Sequence, residues 1–335
     1  MLRGVVEKYK HIVFICDDNY VLPTVVAIQS VVENICMEEY YKIHILSWKI
    51  AESNCQILSD LRAANVEICL HILDSDCYKE KTQLVIQKTH VTSTALLKFE
   101  IPNILYDVSE VLYLDSDLII KNNLSDIFEY DITDSYLAAS FEFWNFLVKY
   151  FDFKKDVNIP DFYFNSGVML LNIKKFREEG LSEKLWDTKI NSFNNNPTTS
   201  LMDQDVFNYL CASKCLHLPI KYNCNCKFTS SVDINLINRV YGTEYKDCLQ
   251  LKEDAIIIHY VGKEDKPWIY RDVKCQQEWD YFYKKTVFVD KKLIRKKRVR
   301  NIRYLFKRLL TSLRKRGIIS TIKYLLYKEK VKRKN

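Results

Sequence analysis

No stretch of the sequence approaches the roughly 18 uncharged apolar residues that cross a bilayer, so a transmembrane helix is excluded from the reading. The apolar run at residues 12–16 is too short for a signal-peptide core and is followed at once by Asp17 and Asp18, which argues against secretion. Paired C-x-x-C knuckles are missing as well. The eleven cysteines, an odd number, are scattered, and the one cluster (Cys211, Cys215, Cys224, Cys226) lacks the spacing of a zinc site; buried, reduced thiols in a cytosol are the expectation. No internal repeat is apparent. What is present is 335 residues with 48% apolar and 28% charged side chains, the balance of a soluble globular protein able to bury a sizeable core.

Charge divides the chain unevenly. Residues 291–335 hold 19 of the 50 Lys and Arg but one acid, Glu329, giving +18 there and −11 in the remainder. Within that segment Val299, Ile302, Leu305, Phe306, Leu309, Leu310 and Leu313 fall on one helical face, with Arg and Lys mostly around the others. The expected organisation is therefore one domain over residues 1–290 and a basic amphipathic helical tail over 291–335. Such a tail fits the anionic surface of a membrane, which places the protein in the cytoplasm, peripheral on the inner face of the cell membrane.

Short β-rich apolar runs at residues 11–16, 42–48, 66–72 and 111–114 alternate with helical spacing at 21–32 and 53–64. This predicts βαβ units and a parallel sheet. The second half is less regular, with a strand expected at 162–173, helices at 181–193 and from Asp203, and a strand at 255–258. Open sheets of this kind bind ligands beyond the carboxyl ends of their strands, so acids that directly follow a strand draw attention. Asp17 and Asp18 qualify, as do Asp115 and Asp117. The latter two are separated by one residue and project from the same side if the chain stays extended, so one divalent ion can take oxygen from both. Oxygen ligands suit Mg²⁺ or Mn²⁺, and an imidazole would tilt the choice to Mn²⁺. An isolated D-x-D is also a common solvated turn. His259 ends another apolar run and is followed by Gly262 and Lys266, a combination able to close over a metal-bound diphosphate.

Five blocks carry a resemblance: Ile12-Val13-Phe14 with Asp17-Asp18-Asn19-Tyr20; Val111 to Asp117; Phe164-Asn165-Ser166-Gly167-Val168 with Asn172; Asp203-Gln204-Asp205; and His259-Tyr260-Val261-Gly262 with Lys266-Pro267-Trp268. Each is weak alone. In order, combined identity and spacing the chain resembles the family 8 retaining glycosyltransferases, which include bacterial lipooligosaccharide α-galactosyltransferases and, more distantly, glycogenin. The resemblance implies an α/β GT-A fold with a mainly parallel central sheet, a UDP-sugar donor, Mn²⁺ or Mg²⁺, and transfer of galactose or glucose with retention to a saccharide or glycolipid acceptor, as in lipopolysaccharide synthesis. By matching position, Asp17 and Asn19 resemble uracil and ribose contacts, and Asp115, Asp117 and His259 the metal ligands. Ser116, Gly262 and Lys266 resemble further contacts to the donor, the last two at its diphosphate. Asn165, Asp203 and Gln204 resemble residues around the donor sugar, with Gln204 where the reacting carbon is approached.

Departures accompany the match. Lys98 stands where the family usually has arginine, keeping charge but losing the planar fork. His90 falls on a position where bacterial relatives also carry histidine. Glu142 stands where relatives carry an acceptor-binding aspartate, and the loop from Gly262 to Lys266 is one residue longer. The resemblance implies retention, and a metal-assisted departure of UDP helped by Lys98 and Lys266 goes with it. The route to retention is open: since Gln204 is a poor nucleophile, attack on the same face guided by departing phosphate oxygen is favoured, with Asp205 kept open as a nucleophile. Self-glycosylation as in glycogenin is the nearest rival, since 22 tyrosines offer acceptors but none is marked as special. A nucleic-acid-binding role for the tail leaves its apolar stripe without a purpose, so no nucleic-acid partner is expected. An inactive relative would not need both aspartates, His259 and Gln204.

Overall fold

A computed structural model describes residues 9–74, 93–143, 162–195 and 202–297. His90 and all but the first residues of the basic tail lie outside them. The strands are β1 (Tyr9–Ile15), β2 (Tyr40–Ser47), β3 (Val66–Ile72), β4 (Glu110–Leu114), β5 (Leu118–Ile120), β6 (Leu137–Phe141), β7 (Phe164–Asn172), β8 (Cys215–His217), β9 (Cys224–Asn225) and β10 (Ile257–His259). Seven form one sheet in the order β3-β2-β1-β4-β7-β6-β8, and β5, β10 and β9 form a second, small sheet.

The unbroken apolar run of β1 follows from burial on both faces. Ile12 and Phe14 enter one core with the helix Val21–Asn34, while Val13 and Ile15 enter another with the 3₁₀ run Ser93–Glu100 and the helix Leu181–Asn195. β1 pairs in parallel with both β2 and β4. The chain thus leaves β1 toward one side of the sheet and returns on its other side at β4, and this reversal opens a crevice beyond their carboxyl ends.

β7 runs against its neighbours β4 and β6, a feature that the expectation of βαβ units did not contain. Its first residues, not its last, therefore reach the crevice. The helix over 53–64 is shorter than expected, spanning Glu52–Ser59. Residues beyond Asp60 turn back instead, with Ala63 bridging Val66 and the Asn65 amide donating to the carbonyls of Cys36 and Glu39. The strand expected at 255–258 begins two residues later and ends on His259 itself.

The described cysteines are free. Cys211, Cys224 and Cys226 are buried, and burial pushes the Cys211 thiol up to about 12, so it stays protonated and unreactive. No described helix is long and apolar enough to cross a membrane. Packing on the body continues past Asp290: Arg295 pairs with Asp280 and Lys296 exchanges backbone hydrogen bonds with Ile269 and Arg271.

Candidate active site

β1 and β4 end side by side, delivering Asp17 and the Asp115-Ser116-Asp117 triplet to an open cavity of about 220 Å³ that Tyr20, Lys98, Tyr113 and Asp203 also line. His259 arrives from the second sheet. β5 starts immediately after Asp117, and its antiparallel register sets Leu118 opposite His259. The Tyr260 amide then donates to the Asp117 carbonyl at 2.9 Å. Backbone pairing, not side-chain attraction, thus fixes the imidazole beside the carboxylates.

The result is a convergent set of acceptors. Ligand atoms of Asp115, Asp117 and His259 lie within 4.8 Å of one another, and no other group of three or more His, Cys, Asp or Glu residues does so among the described residues. His259 Nε2 is 3.0 Å from Asp117 Oδ1 and 3.8 Å from Asp115 Oδ2. β7 supplies the floor: Gly167 accepts from the Asp115 amide at 2.8 Å, and a Cβ at Gly167 would stand 2.3 Å from His259 Cε1 and 2.8 Å from Asp115 Oδ2. Only glycine leaves room for the three ligands to approach. Two carboxylates and one imidazole on a cradle of this size fit Mn²⁺ or Mg²⁺.

Two lysines balance the acids. Lys98, 4% exposed, lies 2.8 Å from Asp203 and 3.2 Å from Asp115, with the Tyr113 ring 4.8 Å away. Burial favours its neutral form, but the two carboxylates outweigh burial and raise its pKa, so it stays charged. Lys266 pairs with Asp117 and donates to the Tyr260 carbonyl at 2.9 Å. Burial opposes ionisation of Asp117, yet Lys266 and His259 beside it hold the carboxyl well below its usual range. Three carboxylates and two ammonium groups leave a negative surplus, which repels a diphosphate until a divalent cation reverses the sign.

The remaining sequence candidates separate by what holds them. Asp17 Oδ1 accepts from the Asn19 amide in a tight turn at the rim of the crevice. Ser116 lines the cavity, but its hydroxyl accepts from Thr24 and donates to the Ile15 carbonyl, pinning β1 to β4. Gln204 accepts the Ser166 amide through Oε1, and Asn208 on the same helix clamps both backbone groups of Phe164. Asp205 is committed on both oxygens, one to the Tyr163 hydroxyl at 2.5 Å and the other to the Met202 amide at 3.0 Å. That arrangement suits a helix cap and does not suit the nucleophile kept open above. Asn165 joins Glu142 at 2.7 Å, bringing the expected acceptor and donor-sugar residues together. Gly262 has φ 109°, and the loop after it is held by an ion pair of Asp265 with Lys227 at 2.5 Å.

Sequence reasoning missed Tyr113 and Asn223. The Tyr113 hydroxyl donates to Asp115 Oδ1 at 2.6 Å, a contact that its place two residues before Asp115 could have signalled. Asn223, which meets His259 Nδ1 at 2.9 Å, belongs to none of the recognised blocks and gave no signal.

Known proteins converge on the same reading. The chain is 27% identical over 267 residues to a lipopolysaccharide 1,2-glucosyltransferase of Escherichia coli, covering 79% of this chain and 74% of the relative. It is 24% identical over 270 residues to general stress protein A of Bacillus subtilis, covering 78% and 88%. The galactosyltransferase LgtC, solved in complex with donor and acceptor sugar analogs, superposes with a TM-score of 0.65 at 22% identity, over 83% of this chain and 96% of that one. This likeness fixes the fold as GT-A. The model of glycosyl transferase family 8 matches residues 11–272, from β1 through the Asp115-Ser116-Asp117 triplet and beyond His259. A match of that extent, over a transferase fold with its acids and histidine gathered at the crevice, makes the chain a member of glycosyltransferase family 8.

Proposed function

We propose that the protein transfers glucose or galactose from a UDP-sugar, with retention, to a saccharide or glycolipid acceptor in the synthesis of a surface glycan such as lipopolysaccharide, using Mn²⁺ or Mg²⁺ held by Asp115, Asp117 and His259. The observation that carries this reading is the convergence of those three side chains at the crevice with Lys98 and Lys266 beside them. The hexose class rests on the relatives, a glucosyltransferase and a galactosyltransferase by name.

A divalent cation bound there supplies Lewis acidity to the diphosphate. Lys266, at the end of the Gly262 loop, adds fixed positive charge at the leaving group, and Lys98 holds Asp115 and Asp203 in place. Asp17 and Asn19, at the rim, orient the nucleoside. Gln204 cannot serve as a nucleophile, because an amide is a poor one and its oxygen already accepts from Ser166. With both oxygens of Asp205 engaged as well, attack on the same face is the favoured course. The bond from the anomeric carbon to the β-phosphate oxygen breaks as the acceptor oxygen bonds to that carbon, and the acceptor proton passes to the departing phosphate oxygen. Screening UDP-sugars with Mn²⁺ tests the proposal. UDP-glucose or UDP-galactose is expected to be hydrolysed slowly without acceptor and not at all in EDTA, whereas hydrolysis unaffected by EDTA contradicts the metal's role.

For the basic tail we read attachment to an anionic membrane, each Lys or Arg near such a surface contributing about 1 kcal/mol. Because packing on the body runs to Lys296, the informative truncation removes residues 298–335. The shortened protein is expected to stay folded and active on the donor but to stop sedimenting with phosphatidylserine vesicles at low salt. Unfolding on truncation, or full-length protein that ignores the vesicles, makes the tail structural.

A further inference from the structure

A chain of hydrogen bonds leads from the candidate metal site to the acceptor side, and its directions can be assigned from one backbone amide. The Gly167 N–H can only donate, and it meets Asn165 at 3.0 Å, so the atom there is the oxygen Oδ1. The other end of the Asn165 amide is then Nδ2, which donates to the Glu142 carboxylate at 2.7 Å. Asn223 also meets Asn165 Oδ1, at 2.9 Å, and must present a donor, its Nδ2. Its oxygen Oδ1 therefore faces His259 Nδ1 at 2.9 Å, and that nitrogen must carry a proton. Each orientation forces the next. Nδ1–H on His259 directs Nε2 at Asp117 and Asp115.

We propose that Asn223 is the positioning residue of this site: it holds His259 in the Nδ1–H tautomer with Nε2 directed at a divalent cation, and locks that orientation to Asn165 and Glu142. The proposal rests on the metal reading above. Asn223 is 7% exposed and enters from the turn between Ile220–Tyr222 and β9, next to the β10 strand that carries His259. A partner that donates or accepts at the second imidazole nitrogen sets both the tautomer and the ring orientation of a metal-binding histidine, and its loss commonly costs about 10- to 100-fold in metal affinity.

Two substitutions separate this role from simple packing. Asn223→Ala removes the acceptor facing His259 and the donor to Asn165. Asn223→Asp keeps an oxygen for His259 Nδ1–H but sets a second oxygen against Asn165 Oδ1, which Gly167 prevents from turning. Mn²⁺ affinity is measured without sugar nucleotide, by electron paramagnetic resonance of the free ion, beside thermal melting. Asn223→Ala is expected to bind Mn²⁺ about 10- to 100-fold more weakly. Asn223→Asp is expected to melt at a lower temperature yet keep wild-type Mn²⁺ affinity. Affinity that follows the melting temperature in both variants overturns the proposal, as does unchanged affinity in Asn223→Ala. If Asn223→Ala does not fold, loss of Mn²⁺ binding in folded Asn223→Asp overturns it. A wild-type protein that takes up no Mn²⁺ removes the metal reading itself, and this proposal with it, a result distinct from the others.

Discussion

Asp117→Ala is expected to lower transfer and donor hydrolysis by about three orders of magnitude, the equivalent of roughly 4 kcal/mol in the transition state, while the protein still folds. Asp117 is the meeting point of the site: one carboxylate oxygen lies 3.0 Å from His259 Nε2 and the other pairs with Lys266. Its loss removes a candidate cation ligand and leaves Lys266 with the Tyr260 carbonyl at 2.9 Å. Breaking a buried pair costs about 3 to 5 kcal/mol of stability, so melting should be followed in parallel. Asp117→Asn, which keeps the volume, serves as the second variant. Near-normal rates in a folded Asp117→Asn would remove this carboxylate from the chemistry.

Gly167→Ala is expected to reduce donor hydrolysis about 100-fold, because a misplacement near 1 Å in a reacting constellation has that order of effect. The added methyl group would meet His259 Cε1 at 2.3 Å, Asp115 Oδ2 at 2.8 Å and Asn165 Oδ1 at 3.0 Å. His259 is held by the β5–β10 pairing and Asn165 by the Gly167 amide, so the neighbours cannot all retreat. Relief must come from spreading the ligands or shifting β7, with a stability cost of about 1 to 3 kcal/mol. Steady-state hydrolysis with melting curves checks this, and wild-type turnover in Gly167→Ala contradicts the cradle.

The candidate ligand set was legible through the family resemblance, with Asp115 and Asp117 following an apolar run and His259 ending another. Their proximity was not. It depends on β5 and β10, three residues each, too short to carry a period-two pattern of their own. The reversal of β7 was equally hidden, since an apolar run buried on both faces reads the same in either direction, and it is this reversal that brings Asn165 and Gly167 to the crevice. Asp203-Gln204-Asp205 was recognisable as a unit, but the capping contact of Asp205 with Met202 and its bond to Tyr163 depend on tertiary placement. Asn223 illustrates the limit most sharply: an amide works here only through the orientation of its neighbours, which no local pattern encodes.

The central claim is that a divalent cation on Asp115, Asp117 and His259 joins the protein to a uridine diphosphate. Calorimetric titration of UDP into the full-length protein tests it most directly, with Mn²⁺ present, with EDTA, and with Mn²⁺ added to Asp117→Asn. Saturable binding of UDP is expected in the first case alone, because in EDTA the surplus carboxylate charge opposes the diphosphate and in Asp117→Asn the cation that would join the two has lost a ligand. UDP binding of equal affinity in EDTA, or in Asp117→Asn, would contradict the account.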